Sequence, residues 1–396
     1  VLRVLSISTL FPNPQRPAFG KFVANQMRAV AAGGGAEVVV LNPIGQPPWP
    51  LSRTARFRKL EDLPARSDVD GIAVHHPRFR LIPRIGGDTN PGRIAAALAP
   101  LARELHAAHP FDVVDAQFFF PDGPAAALVA RALGLPLTVK ARGSDIHYWG
   151  QRPRALAQML GAARQAAALL AVSEALRGDM IALGMPGERI TVHYTGLDRE
   201  RFHPMERRAA RALVSAIPEL QVCTEGRLVV TPGALIAIKG QALAIAALER
   251  LPDVHLALAG TGEDEATLRK LVQARGLTDR VQFLGQVSHD LLPQLFSAAD
   301  AVVLPSEREG LANVWVEALA CGAPLVVPDI GGAREVVRDR SAGRIAARDP
   351  DAIAAALRDL LDDPPSQEAV ATNAERFSWE ANARQLVEIW RGAAAR

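Results

Sequence analysis

The chain has 396 residues, 49% of them hydrophobic and 22% charged, with a formal net charge of +3. That length exceeds one ordinary core and predicts two domains of about 150–200 residues each. The small net charge leaves no electrostatic footprint for a nucleic-acid partner. The two cysteines, Cys223 and Cys321, make neither a disulfide framework nor a metal-ligand spacing, which fits a reducing cytoplasm.

The first strand is expected over Leu2–Ser8, so the N-terminus enters a strand directly and no signal peptide is expected. Helical periodicity covers Lys21–Ala32, three glycines follow, and EVVVLN is the next strand, a βαβ beginning. From Arg53 to Arg93 basic residues gather: Arg53, Arg56, Arg58, Lys59, Arg66, Arg78, Arg80, Arg84 and Arg93, with Phe57, Phe79, Leu81 and Ile82 among them. Such a mixture suits either a solvated irregular loop or peripheral docking on an anionic membrane face. No apolar run reaches the roughly 18 residues of a membrane span.

The alternation then resumes. Strands are predicted at Asp112–Gln117, PLTVKAR, LLAVS and RITVHYT, with helices between them ended by Gly134 and Gly184. Asp198–Ser215, charged and broken by Pro204, reads as a linker. A second series follows in LVVTPGA, HLALAG, VQFLG, AVVLP and PLVVP, and the chain ends on an amphipathic helix carrying Leu386, Ile389 and Trp390. Continuously apolar strands are those of parallel sheets covered on both faces. The fold class is therefore α/β, with two doubly wound domains and a cleft at the carboxyl ends of their strands.

One stretch carries chemistry most densely. In PSEREGLANVWVEALACGAP, Glu309 falls in the loop after a strand, and Glu317 falls one turn into a helix with Asn313 as its N-cap and Gly322 as its C-cap. The amides of Gly310, Leu311 and Ala312 precede that helix and suit an anion, while carboxylates accept from sugar and ribose hydroxyls. A solvated loop glutamate and a favourable first-turn charge explain the same spacing. Lys239, in GALIAIKG, falls between a strand and a helix, where a lysine at a helix start is somewhat unfavourable for the dipole.

This pattern resembles the E-x7-E signature of retaining GT-B glycosyltransferases, the group 1 or family 4 class. Further segments occur in the same order: the Gly20 loop, PDGPAAALVARALGLPLTVKARGSDI, AVSEALRGDM, GALIAIKGQ, LAGTGED, VQFLGQVS and FSWEANA. The resemblance implies two Rossmann-like domains facing across a cleft: residues 1–200 for the acceptor, 205–375 for the nucleotide sugar, and 376–396 as a helix crossing back. It implies that Glu309, Lys239 and Arg142 are catalytic. Donor contacts would come from Gly233, Lys239, Gly262, Gln286, Val287, Glu309, Gly310, Leu311, Ala312, Asn313 and Glu317. Gly20, Arg142, Asp145 and His147 would lie on the acceptor side, although a turn glycine and a capped turn account equally for Gly20 and Asp145. No metal or other cofactor is implied.

Two positions depart from the family pattern: Ala234 stands where an arginine is common, and Arg142 where a histidine is common. Arginine cannot serve as a general base. The implied reaction is transfer from a UDP- or GDP-linked sugar to a saccharide or lipid-linked acceptor with retention, in cell-surface polysaccharide or glycolipid synthesis. The implied setting is cytoplasmic, with peripheral contact at the inner membrane face. A non-catalytic sugar-nucleotide binder and a nucleotide-sugar epimerase are the alternatives.

Overall fold

The computed structural model describes residues 1–17, 19–82, 87–217 and 226–396. The chain divides into two compact units, Val1–Gly196 with Trp379–Arg396, and Leu197–Ser378.

In unit 1 eight strands make one sheet, in the order Ile190–Val192, Ala168–Ala171, Leu137–Ala141, Val113–Ala116, Leu2–Ile7, Ala36–Leu41, Ile72–His75 and Arg66–Val69. All neighbours are parallel except the last pair, an antiparallel hairpin. The sheet changes winding direction between Leu2–Ile7 and Val113–Ala116, so the loops after those two strands flank the switch point where ligands bind in open α/β sheets. The helix Lys21–Ala32 buries Val23, Met27 and Val30 at helical spacing. The same apolar cluster takes in Leu386, Val387 and Trp390 of the final helix Trp379–Ala394.

Unit 2 holds six parallel strands in the order Val281–Gly285, Val254–Ala259, Arg227–Pro232, Ala301–Val303, Leu325–Val327 and Gly343–Ile345. By order along the unit this is 3-2-1-4-5-6, the doubly wound arrangement, with its switch point between Arg227–Pro232 and Ala301–Val303. The four inner strands are buried almost throughout, as expected where helices cover both faces.

Three expectations are corrected. Asp198–Ser215 is not a plain linker: Arg207–Ala216 is a helix whose N-cap, Glu206, accepts from the amides of Arg208 and Ala209. Arg207 and Arg211, one turn apart, converge on Asp300 at 3.6 and 2.5 Å while Ala210 and Val214 are buried, so charge and apolar spacing together fix it. The basic stretch is not irregular either. It contains the hairpin Arg66–Val69 with Ile72–His75, turned at Asp70 and Gly71, and the strand Arg78–Arg80 paired with Ile44–Gln46. A small cluster of Ile44, Leu60 and Leu63, joined by Phe57, packs beneath it. Within this stretch Arg84 and the Arg56 side chain lie outside the described residues, as does Cys223. Finally, Asn313 is the first residue of its helix and Ala312 caps it without a side-chain bond, while Gly322 takes the left-handed position just beyond the end. Among the described residues no helix is long and apolar enough to cross a membrane.

Candidate active site

The two loops at the switch point of unit 2 carry Lys239 and Glu309. The first follows Arg227–Pro232 and the second follows Ala301–Val303, so residues seventy apart in sequence arrive side by side. Lys239 Nζ donates to Glu309 Oε1 at 2.6 Å, with the side chains 26% and 14% exposed. The backbone is laced to hold that meeting. The amide of Glu307 donates to the carbonyl of Ile238 at 2.7 Å, and Arg348 Nε donates to the carbonyl of Pro305 at 3.0 Å. Gly240 has φ +72°, and a Cβ there would stand 2.3 Å from the Pro305 carbonyl oxygen, so only glycine permits the approach. Gly331 supports the same loop from its other side, where a Cβ would fall 2.1 Å from the Glu309 carbonyl oxygen, and the Gly332 amide donates to the Gly310 carbonyl at 2.7 Å.

Beyond Glu309 the chain enters the helix Asn313–Ala320. The amides of Leu311, Ala312 and Asn313 take no acceptor among the described residues. Such a set of unspent donors at a helix start favours an anion or sugar oxygens. Ser306, fully buried in this loop, also keeps an Oγ without a partner among the described residues.

Glu317 lies in the helix, 17% exposed, with His289 Nε2 at 3.5 Å from its Oε1. Arg201 Nη1 sits 3.0 Å from His289 Nδ1. A guanidinium only donates, so Nδ1 must accept, and the imidazole proton belongs on Nε2, toward Glu317. Phe202 packs edge-on against the same ring at 5.2 Å. Gln286 and Val287 leave the end of Val281–Gly285 three and two residues before His289. The sequence reading singled out neither His289 nor Arg201, because a histidine in QVSHD has no spacing signature of its own.

Gly233 and Gly262 lie where the loop before Lys239 meets the loop after Val254–Ala259. Gly233 has φ +121°, its amide donates to the Ala259 carbonyl at 2.9 Å, and the Leu235 amide donates to Thr261 at 3.0 Å. A Cβ on Gly262 would meet the Leu235 carbonyl oxygen at 2.1 Å. Ala234, the departure from pattern, is exposed, and its carbonyl accepts from Gln241. Cys321 is no nucleophile: burial, with the Glu317 carboxylate adding to it, pushes its thiol far above the ordinary range.

In unit 1 the loop after Leu2–Ile7 closes on Gly20, which caps Lys21–Ala32 at φ +72°. A Cβ there would lie 2.4 Å from the Leu10 carbonyl carbon. Arg142 leaves Leu137–Ala141 half-buried. Its Nη2 donates to Gln117 Oε1 at 2.6 Å and reaches Gln26 Oε1 at 3.3 Å, and its Nε donates to the Gln117 carbonyl. Nη1 has no partner among the described residues. Behind it lies a buried polar network. Lys140 Nζ donates to Gln26 and, at 2.7 Å, to His193 Nδ1, while His193 Nε2 donates to the carbonyl of Asn382. Burial, reinforced by Arg142, holds the Lys140 ammonium well below its usual range.

Asp145 and His147 are held by neighbouring groups. Asp145 is buried, and its carboxylate accepts from the amides of Phe119, Arg142, Gly143 and Ile146, which spends it on fixing the turn. His147 Nε2 pairs with Asp179 at 2.8 Å. Ser173 caps its helix through the Leu176 amide. His76 is a satisfied core histidine between Asn42 and Ser67.

Residues 217–377 match the family described as glycosyl transferases group 1, and residues 19–196 match the glycosyl transferase 4-like domain. The chain is 30% identical over 357 residues to the D-inositol 3-phosphate glycosyltransferase of Salinispora tropica, covering 83% of this chain and 74% of that one. It is 32% identical over 286 residues to the alpha-D-kanosaminyltransferase of Streptomyces kanamyceticus, covering 67% and 72%. Among solved structures, sucrose-phosphate synthase from Thermosynechococcus elongatus superposes with a TM-score of 0.80 at 20% identity over 100% of both chains. Anabaena HepE in complex with UDP and glucose superposes at 0.71 and 23%, covering 98% and 99%. The chain belongs to the group 1 glycosyltransferases and has the GT-B fold of that enzyme class.

Proposed function

We propose that this enzyme moves a sugar from a nucleoside-diphosphate donor to an acceptor hydroxyl with retention of anomeric configuration. Unit 2 takes the donor and unit 1 the acceptor. The observation that carries the reading is the Lys239–Glu309 pair at the switch point of unit 2, with Glu317 eight residues further on beside His289. Lys239 turns to the leaving diphosphate, where negative charge grows as the glycosidic bond breaks. Glu309 then faces the anomeric carbon, where positive charge develops. In the empty site the two neutralise each other, so neither is left as a lone charge in a partly dry loop. Glu317 accepts from the ribose hydroxyls, and the amides from Gly310 to Asn313 hold sugar or phosphate oxygens. Gly233, Gly262, Gln286 and Val287 complete the donor contacts through their backbone.

Arg142 is the basic group of the acceptor side, with Nη1 left for substrate, and the leaving diphosphate assists deprotonation of the acceptor on the donor's own face. Gly20 shapes the neighbouring loop. The HepE complexes with UDP, with UDP and glucose, and with UDP-glucose support a uridine donor. No metal is needed, because ammonium, helix start and amides supply the positive potential. The acceptor belongs to cell-surface polysaccharide or glycolipid synthesis, met at the cytoplasmic membrane face. A thermal-shift comparison of UDP, GDP and ADP tests the donor class, since a specific ligand raises the melting temperature. Proton NMR of the product reads its anomeric configuration, and product analysis without acceptor separates transfer from epimerisation.

A further inference from the structure

Unit 1 contains a cavity of about 1030 Å³. That is at the top of the roughly 300–1,000 Å³ usual for small-molecule sites. The loop after Leu2–Ile7, the strand pair Ile44–Gln46 with Arg78–Arg80, and the turn Asp145–Trp149 supply its lining. Ile44, Phe57, Leu60, Phe79 and Leu81 make one part of that lining apolar. Two aromatic rings, Phe19 and Tyr148, stay 42% and 47% exposed there. Exposed aromatic side chains gathered at one cavity mark a ligand surface rather than scattered apolar residues.

The charged part is as one-sided. Among the described residues the lining carries Arg16, Arg152 and Arg154 against Asp88, a net charge of +2. Asp88 is already paired with Arg154 at 3.5 Å. Arg152 stands 3.6 Å over the Tyr148 ring and 5.3 Å from that of Trp149, anchored by Nη1 on the Tyr148 carbonyl. Arg16 stands 5.9 Å over Phe19. Neither arginine meets a carboxylate among the described residues. Among the described residues a bare sugar would find no spare carboxylate here to accept its hydroxyls, whereas guanidinium groups beside an apolar lining fit an anion on a hydrocarbon.

We propose that this cavity binds the hydrocarbon chain and phosphate of an amphiphilic acceptor whose hydroxyl-bearing group lies beyond that phosphate. The chain lies along Ile44, Phe57 and Phe79, and the phosphate lies at Arg16 and Arg152. This rests on unit 1 being the acceptor side.

The test is calorimetric titration of the full chain with n-decyl phosphate below its micelle concentration, beside inorganic phosphate and uncharged n-decyl maltoside. The expected result is one decyl phosphate per chain, with both comparison ligands at least ~10-fold weaker. Arg16→Gln and Arg152→Gln, both at exposed positions, each weaken decyl phosphate by about 3- to 10-fold and leave decyl maltoside unchanged. Absence of decyl phosphate binding overturns the proposal. So does equal binding of inorganic phosphate, which would mark a plain anion site, or equal binding of the maltoside, which would mark an apolar groove. Arginine variants with native circular dichroism and unchanged affinity overturn it as well. A UDP thermal shift on the same samples separates the two readings. UDP binding without decyl phosphate binding removes this inference and leaves the transferase reading intact, and the converse removes the donor assignment alone.

Discussion

Replacing one member of the Lys239–Glu309 pair at a time gives opposite signatures for donor binding and chemistry. At 2.6 Å and an effective dielectric of about 20, the gross attraction is about 6 kcal/mol. Both groups keep some water, 26% and 14% exposed, so desolvation and screening leave a net of about 1–2 kcal/mol. Lys239→Ala therefore lowers stability by about that much and leaves Glu309 facing the phosphate site unpaired. UDP affinity falls about 10- to 100-fold, the worth of a charge-assisted hydrogen bond, and kcat about 10²- to 10³-fold. Glu309→Gln loses comparable stability and comparable kcat, yet it frees Lys239, so UDP binds as tightly as before or more tightly. The double variant regains part of the stability and none of the activity. Calorimetric UDP titration, urea unfolding and initial rates on one set of four proteins read all of this. If Glu309→Gln weakens UDP as much as Lys239→Ala does, the pair is a structural strut. A Lys239→Ala enzyme within about threefold of wild-type kcat would equally refute the catalytic assignment.

Further outcomes follow from individual contacts. His289→Gln removes the ring that Arg201 orients toward Glu317, and the donor KM should rise about 3- to 10-fold at unchanged kcat, as steady-state kinetics will show. Gly331→Ala pushes a Cβ into the Glu309 carbonyl, and kcat should drop about 100-fold because the loop shifts, while circular dichroism stays native. Gly20→Ala forces a side chain into φ +72° against Leu10 and should cost about 1–3 kcal/mol in denaturant unfolding. Asp122 is buried, accepts from the Thr9 amide and hydroxyl, and has its carboxyl pushed up to about 7 by burial. Its folded state holds the proton longer than the unfolded chain does, so it draws stability down as pH rises from about 4 to about 7. Asp122→Asn should therefore gain on wild type across that window, by at most about 4 kcal/mol, and a melting series at fixed salt will show whether the gap opens.

Unit 2 was the more legible because its candidate site sits in contiguous loops. Strand, glycine, lysine and strand, glutamate, helix each occupy a short stretch, and the parallel periodicity tells which end of the sheet they reach. What could not be read there is the pairing of Lys239 with Glu309, since seventy intervening residues carry no distance information. The histidine against Glu317 was hidden for the same reason. Asp145 was ambiguous in sequence because a carboxylate after a strand suits substrate and backbone amides alike, and the structure shows it accepting from four amides. The helix Arg207–Ala216 was missed because charge density there looked like solvent exposure, when two of its arginines are spent on Asp300.

The final helix shows where sequence reasoning stops and packing begins. Its apolar stripe predicts that it covers something, and Leu386 and Trp390 are indeed buried, but a stripe does not specify which surface it meets. Polar groups supply the address. Trp390 Nε1 donates to the buried Asp115 at 3.1 Å, a carboxylate also held by Ser6, Gln117 and Thr138. The Asn382 carbonyl accepts from His193, and Gln385 donates to the Val192 carbonyl at 3.0 Å. His193 passes this contact through Lys140 to Gln26, the acceptor that Arg142 also reaches. A residue near the C-terminus thus bears on the setting of Arg142 without touching it. Asn382→Ala keeps its backbone carbonyl and should leave Arg142 in place. Trp390→Phe strips a donor from a buried carboxylate, which costs about 1–3 kcal/mol. Gln117 bonds both Asp115 and Arg142, so that loss should carry over to them. A Trp390→Phe variant whose acceptor KM and stability both match wild type would show that the network ends at Asp115.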